Sequence, residues 1–173
     1  MTLTGSLLIF TGVTFLIDDF SRFFTHYIFH RVPFLWKFHK VHHSAEVLTP
    51  ITLHRSHPVE SILMFLRNIL TYSLTTAIFI YLYRTQLSGY EILGVNALGL
   101  SFNFALSNLR HSHVPIEFGS LELIFLSPFQ HQIHHSNNPK HFNKNFGICL
   151  SIWDRAFGTF TRSRGQEIKE FGL

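Results

Sequence analysis

The stretch Phe129–Ser136, FQHQIHHS, repeats the histidine spacing of Phe38–Ser44, FHKVHHS. Both are H-x-x-H-H: His39, His42 and His43 in the first, His131, His134 and His135 in the second. Residues three and four apart share a helical face, so each triplet can point its imidazoles toward one side. An H-x-x-x-H pair, His26 and His30, stands ahead of the first triplet at the same helical spacing. Three imidazoles on about one turn pack poorly. They are costly to bury unless something accepts their lone pairs, and a transition metal does so well. The rest of the chain therefore has to bring these clusters together.

The clusters fall where apolar segments end. Residues 2–17 carry no charge and run through Asp18, Asp19 and Arg22 into aromatic sequence ending at His30. This reads as a membrane helix that carries its first histidines past the apolar part. Asp19, Arg22, His26 and His30 share its face. Asp19 has two readings: a hydrogen-bond partner for an imidazole, or a salt-bridge partner for Arg22. Pro33 breaks the helix, and 34–44 forms a second, aromatic and basic one, suited to a membrane–water boundary. A loop with Pro50 follows over 45–56. Residues 68–83 and 92–109 are both uncharged, and the second is about long enough to cross a bilayer. Together they predict a helical hairpin that returns His111 to the side of the earlier clusters; a buried soluble hairpin is the alternative. Pro115 and Gly119 mark another break, Pro128 opens the last histidine segment, and the polar tail beyond Thr159 is expected to be soluble and partly ordered. The predicted fold is an all-α membrane helical bundle, one domain over 1–173, with a histidine-rich dimetal site on its cytosolic side.

Composition agrees. Only 14% of residues are charged and 20 are Phe, which favours a membrane protein over a soluble enzyme. The net charge of +4 comes with no basic run, so the expected partner is a surface of lipid phosphates and not nucleic acid. One cysteine, Cys149, excludes an intrachain disulfide, a four-cysteine zinc site and a self-contained iron–sulfur cluster. It lies in an apolar run and reads as a buried thiol. The N-terminus lacks the basic region and cleavage site of a signal peptide.

Eight clustered imidazoles exceed what one metal needs, whereas two metals with four or five ligands each use them naturally. Imidazole suits Fe, Zn, Cu and Ni. Two irons would allow dioxygen to be bound and reduced; zinc could substitute for them but has no redox capacity. None of the ten acidic residues lies within a triplet, which argues against a carboxylate-bridged site of the ferritin type.

The sequence resembles the fatty acid hydroxylase superfamily, also called the sterol desaturase family, of integral-membrane di-iron enzymes. The resemblance covers nearly the whole chain. It rests on His26-x-x-x-His30, FHKVHHS (Phe38–Ser44), R-x-H-P-x-E (Arg55–Glu60), LRHSHV (Leu109–Val114), SPFQHQIHHS (Ser127–Ser136), and KNFG and WDRAFGT beyond. It implies dioxygen-dependent hydroxylation or desaturation of a fatty acyl chain, sterol or related lipid at two irons. The implied ligands are His26, His30, His39, His42, His43, His57, His111, His131, His134 and His135. His57 also has the reading of a loop histidine ordering the Pro58 turn. Asn108 could reach the site through water or serve as a cap, and His113 could support a ligand from behind. His141 is expected to hydrogen-bond near Asn145, His54 to be structural or exposed, and Asp154 and Arg155 to serve the fold. Members of the superfamily usually carry more apolar sequence before the first histidine pair, so the chain is expected to be a truncated form or to lack the usual extra spans. The resemblance places the protein in a bacterial inner membrane or the endoplasmic reticulum as a multi-pass protein.

No G-x-G-x-x-G, haem-attachment or flavin motif occurs, so electrons are expected from an external donor: a cytochrome b5-like carrier, a ferredoxin or a reductase. Two other readings compete. A zinc-dependent membrane hydrolase would need a general base near the metal, and H-E-x-x-H is absent. A metal-binding or transport membrane protein would place its ligands at mid-depth of the spans, not at their ends.

Overall fold

The computed structural model describes residues 3–83 and 108–173. Among these residues the helices are α1 (Leu3–Arg31), α2 (Pro33–His43), α3 (Pro58–Tyr83), α4 (Pro128–His134) and α5 (Ile152–Phe157), and 108–110 are also helical. Short 3-10 turns cover Pro50–His54, Gly119–Leu123 and Pro139–His141. The described residues form no strand, only two isolated antiparallel bridges, Phe125 with Leu150 and Ser136 with Phe171. Of the expected hairpin, the first arm is α3; nearly all of the second, 92–109, lies outside the described residues.

Pro33 acts as predicted. Val32 takes an extended conformation and Pro33 opens α2 at its first position, where a missing N–H costs nothing. α1 runs antiparallel to α3. Phe10 meets Phe79 (ring centroids 5.0 Å), while Asp18, two turns further on, meets Arg67 (2.8 Å). Apolar halves thus lie beside each other, and the charged and histidine-bearing halves do too. Their outward faces are greasy: Leu8, Leu70, Leu74 and Leu82 are each more than 60% exposed. Among the described residues, α3 alone is long and apolar enough to cross a membrane.

One buried carboxylate, Asp19, ties the C-terminal third to α1, and two more, Asp154 and Glu122, hold that third together. Asp19 on α1 accepts the backbone N–H of Cys149 (3.0 Å) and Leu150 (3.1 Å) and the indole N–H of Trp153 (2.9 Å). Both expectations for Asp19 are therefore corrected: it touches no imidazole, and Arg22 pairs instead with Asp18, one turn back (2.8 Å). Asp154 accepts Phe146 N–H, Gly147 N–H and the Thr159 hydroxyl at 2.6–2.8 Å. Gly147 is required there, since a Cβ would lie 2.8 Å from the Leu150 carbonyl oxygen and 2.9 Å from Asp154 Oδ2. Glu122 accepts both hydroxyls of Ser127 and Ser163 and the Ser163 N–H. The tail is docked: Thr161 caps the Gln130 and Asn145 side chains, Asn137 N–H donates to the Glu170 carbonyl, and Gly172 N–H donates to the His135 carbonyl.

Candidate metal centre

The histidine helices meet at the ends of α1, α2 and α4. α4 is seven residues long and would not persist alone. It is started by Ser127, whose hydroxyl accepts Gln130 N–H while the Gln130 side chain accepts Ser127 N–H, a reciprocal cap. The surrounding chain buries every residue from Pro128 to His134, with the His134 ring against His26 and His30 of α1 and His43 of α2.

Nine imidazoles converge in two groups. His26, His30, His39, His43 and His134 form one; His42, His111, His131 and His135 form the other. Within each group the candidate ligand atoms lie within 4.8 Å of one another. The groups adjoin, with the His43 and His135 rings stacked at 4.4 Å. Neither triplet serves one group. His39 and His43, four apart, share a face and join the five-histidine group, while His42 joins the other. In α4 the sharing is reversed. His131 and His135 join the four-histidine group and His134 the five.

Hydrogen bonds fix which nitrogen points inward. His26 Nδ1 donates to the Phe146 carbonyl (2.9 Å), His134 Nδ1 to the Lys144 carbonyl (2.7 Å), His42 Nδ1 to the Arg55 carbonyl (3.3 Å) and His39 Nδ1 to Glu60 Oε1 (2.8 Å). Each acceptor has no proton to give, so Nδ1 carries the hydrogen and Nε2 presents a lone pair. All five Nε2 atoms of the larger group are buried without a hydrogen-bond partner. In the smaller group the Nε2 atoms crowd against each other: His42 to His111 at 3.2 Å, His111 to His131 at 3.1 Å, His131 to His135 at 3.2 Å. Burial, the largest cause throughout, pushes His42 down to about 4 and His134 to about 3, and holds His43, His131 and His135 well below their ordinary value. Neutral imidazoles with convergent, unsatisfied lone pairs fit metal cations.

His57, Asn108 and His113 lie in neither group. His57 Nδ1 accepts the Val59 N–H (3.1 Å) and its ring lies against Phe38. His113 is exposed. Asn108 is half-buried and helical, three residues before His111. His141 hydrogen-bonds Gln166, not Asn145. Burial lifts the Cys149 thiol to about 12, which makes it inert. Sequence reasoning missed Glu60 as the partner of His39, although Glu60 closes the R-x-H-P-x-E motif. Two cavities open on the centre. One of 240 Å³ reaches both groups from between α1 and α3, lined by Arg22, Met64, His26, His39, His42 and His111 among others. The second, of 420 Å³, touches only the five-histidine group, beside Trp36, Phe142 and Leu173.

The fold and site define an all-helical protein whose buried histidines could hold a pair of metal ions. The sequence profile of the fatty acid hydroxylase family matches residues 11–159, and the chain belongs to that family. It is similar to alkylglycerol monooxygenase of Homo sapiens, 34% identical over 84% of this chain and 29% of the relative. It is also similar to ornithine lipid hydroxylase OlsE of Rhizobium tropici, 31% identical over 83% of this chain and 39% of the relative. Cholesterol 25-hydroxylase of Homo sapiens is 26% identical over 83% of this chain and 48% of the relative. The chain thus spans less than a third of the length of the alkylglycerol monooxygenases it matches. No solved structure matches.

Proposed function

We propose that this chain is a membrane-bound, dioxygen-dependent di-iron enzyme that hydroxylates a lipid, with residues 1–173 acting as one domain. One observation carries the reading: nine buried or half-buried histidines sorted into a group of five and a group of four, with inward-facing lone pairs. Two irons held there would supply dioxygen reduction and oxidation of an unactivated C–H bond. Iron is favoured over zinc because the relatives are named as monooxygenases and hydroxylases, chemistry that needs a redox metal. Those names also favour hydroxylation over desaturation.

The chain's own residues do the positioning. Phe146, Lys144 and Arg55 carbonyls and the Glu60 carboxylate hold four imidazoles in one tautomer and one orientation, so little reorganisation accompanies metal binding. The cavity between α1 and α3 exposes both groups to one side, and its walls place a lipid carbon beside them while excluding bulk water. The greasy outward faces of α1 and α3 sit against hydrocarbon in this reading, with the metals at the wet, cytosolic end. Electrons come from a separate carrier.

The test is metal content and isotope transfer. Protein purified in detergent is expected to hold about two irons per chain, fewer in His134→Ala, and to transfer one atom of labelled dioxygen to a lipid alcohol when given reductant. Folded, freshly made protein without stoichiometric metal would refute the site; label entering only from water would refute the oxygenase.

A further inference from the structure

Arg22 and Arg67 share one carboxylate. Asp18 Oδ2 accepts Arg22 Nε (2.8 Å) and Asp18 Oδ1 accepts Arg67 Nη1 (2.8 Å). No second carboxylate pairs with either guanidinium among the described residues. The three side chains are mostly buried, at 8%, 21% and 11% exposure for Asp18, Arg22 and Arg67. Two cations against one anion leave a surplus positive charge in a poorly solvated place, which calls for a further anion. The neighbouring charges do not supply it. Asp19 is spent on the Cys149, Leu150 and Trp153 N–H groups, and Glu60 on His39. The two arginines also differ. Arg67 bridges to α1 through Asp18 and Ser21, whereas Arg22 gives Asp18 only its Nε and lines the 240 Å³ cavity that reaches both histidine groups. The ends of its fork remain for a ligand.

We propose that Arg22 receives the anionic end, carboxylate or phosphate, of the lipid that enters this cavity. The proposal rests on the lipid-hydroxylase reading and names its substrate class. Guanidinium is matched to both anions by its planar fork of donors. Its place fits an amphiphile. Asp18, Arg22 and Arg67 lie where the apolar halves of α1 and α3 give way to the histidine-bearing halves, so an anion there leaves the chain beside apolar surface. Arg22 is one turn before His26, about 6 Å along the helix, which puts the carbon to be oxidised near the polar end. A cavity of 240 Å³ is smaller than the roughly 300–1,000 Å³ that encloses a whole ligand; it suits the end of a lipid.

The test compares three ligands with one hydrocarbon chain, oleate, oleyl phosphate and oleyl alcohol, titrated into detergent-purified, iron-loaded protein. The two anions are expected to bind about ten- to a hundredfold more tightly than the alcohol, the margin of a charge-assisted pair. Arg22→Gln is expected to remove the preference and Arg22→Lys to keep part of it. Equal binding of all three by the unaltered protein overturns the proposal without any variant having to fold. A preference that survives Arg22→Gln overturns it too, because the anion is then held elsewhere. Inorganic phosphate binding as tightly as oleyl phosphate would show an ion site and not a lipid site. Iron is counted in the same samples. Two irons without anion preference refute only the role of Arg22, whereas an anion preference that Arg22→Gln removes, in protein that never takes up iron, refutes only the di-iron reading.

Discussion

Glu60 is a charged group hydrogen-bonded directly to a candidate ligand, His39, so its removal is a sharp probe of the centre. It stands in the first turn of α3, is 7% exposed, and accepts His39 Nδ1–H at 2.8 Å. Three things depend on that contact: the His39 tautomer, the ring's orientation and the donor strength of Nε2, which a carboxylate raises more than a carbonyl does. Glu60→Gln keeps an acceptor of the same shape and loses only the charge. Glu60→Ala loses all three and leaves a buried N–H unpaired. Losses of outer partners cost about 10–100-fold in metal affinity, or about 1.4–2.7 kcal/mol. We expect the glutamine variant near the lower figure and the alanine variant near the upper, both confined to the five-histidine group. Competition against a chromophoric chelator measures this, with the four-histidine metal as internal reference. Glu60 also opposes the helix N-terminus, worth about 0.3–1 kcal/mol, so melting of metal-free protein must be recorded to separate stability from affinity. Wild-type affinity in Glu60→Ala, or equal weakening at both groups, would refute the argument.

Three further outcomes are expected. His131→Ala should lose the metal of the four-histidine group and leave that of the five-histidine group, read as a fall from about two metals per chain toward one; loss of both would show the groups to be one site. Gly147→Ala should lower stability by about 1–3 kcal/mol as an overpacked position, since its Cβ meets the Leu150 carbonyl and Asp154 at under 3 Å; an unchanged melting temperature would contradict the packing. Metal-free protein should lose stability as pH falls below about 6.5. His42 and His134 titrate near 4 and near 3 when folded but near 6.5 when unfolded. The unfolded chain therefore binds more protons across that window, and stability rises with pH through it. A melting temperature flat from pH 7.5 to 5 would contradict this.

The local pattern was legible and the long-range partners were not. Spacing alone gave the helices carrying His26 and His30 and the triplets, and Pro33 gave the break between α1 and α2. Spacing left the sorting of the triplets open, because three-apart and four-apart pairs both share a face; in the structure the four-apart pairs His39/His43 and His131/His135 each stay in one group. The division of His42 and His134 to opposite groups needs the helices' mutual rotation, which no single segment encodes. Likewise His26 finds its carbonyl on Phe146, 120 residues away, and Asp19 its donors 130 residues away. Asp19 and Arg22 fit a salt-bridge spacing, but Asp18 and Arg22 fit it as well, and the choice was made by Cys149, Leu150 and Trp153 arriving at Asp19.

The crossed use of the triplets has a consequence for how the centre assembles. If each helix served one metal, α2 or α4 could shift and spoil one site alone. Instead α2 gives His39 and His43 to one group and His42 to the other, while α4 gives His131 and His135 to the second and His134 to the first. A displacement of either helix alters both coordination shells together. The outer contacts run the same way: Asp154 holds Phe146, Phe146 holds His26, and His135 is braced from behind by Gly172. α4 has too few residues to be helical by itself, so its placement depends on these buried contacts.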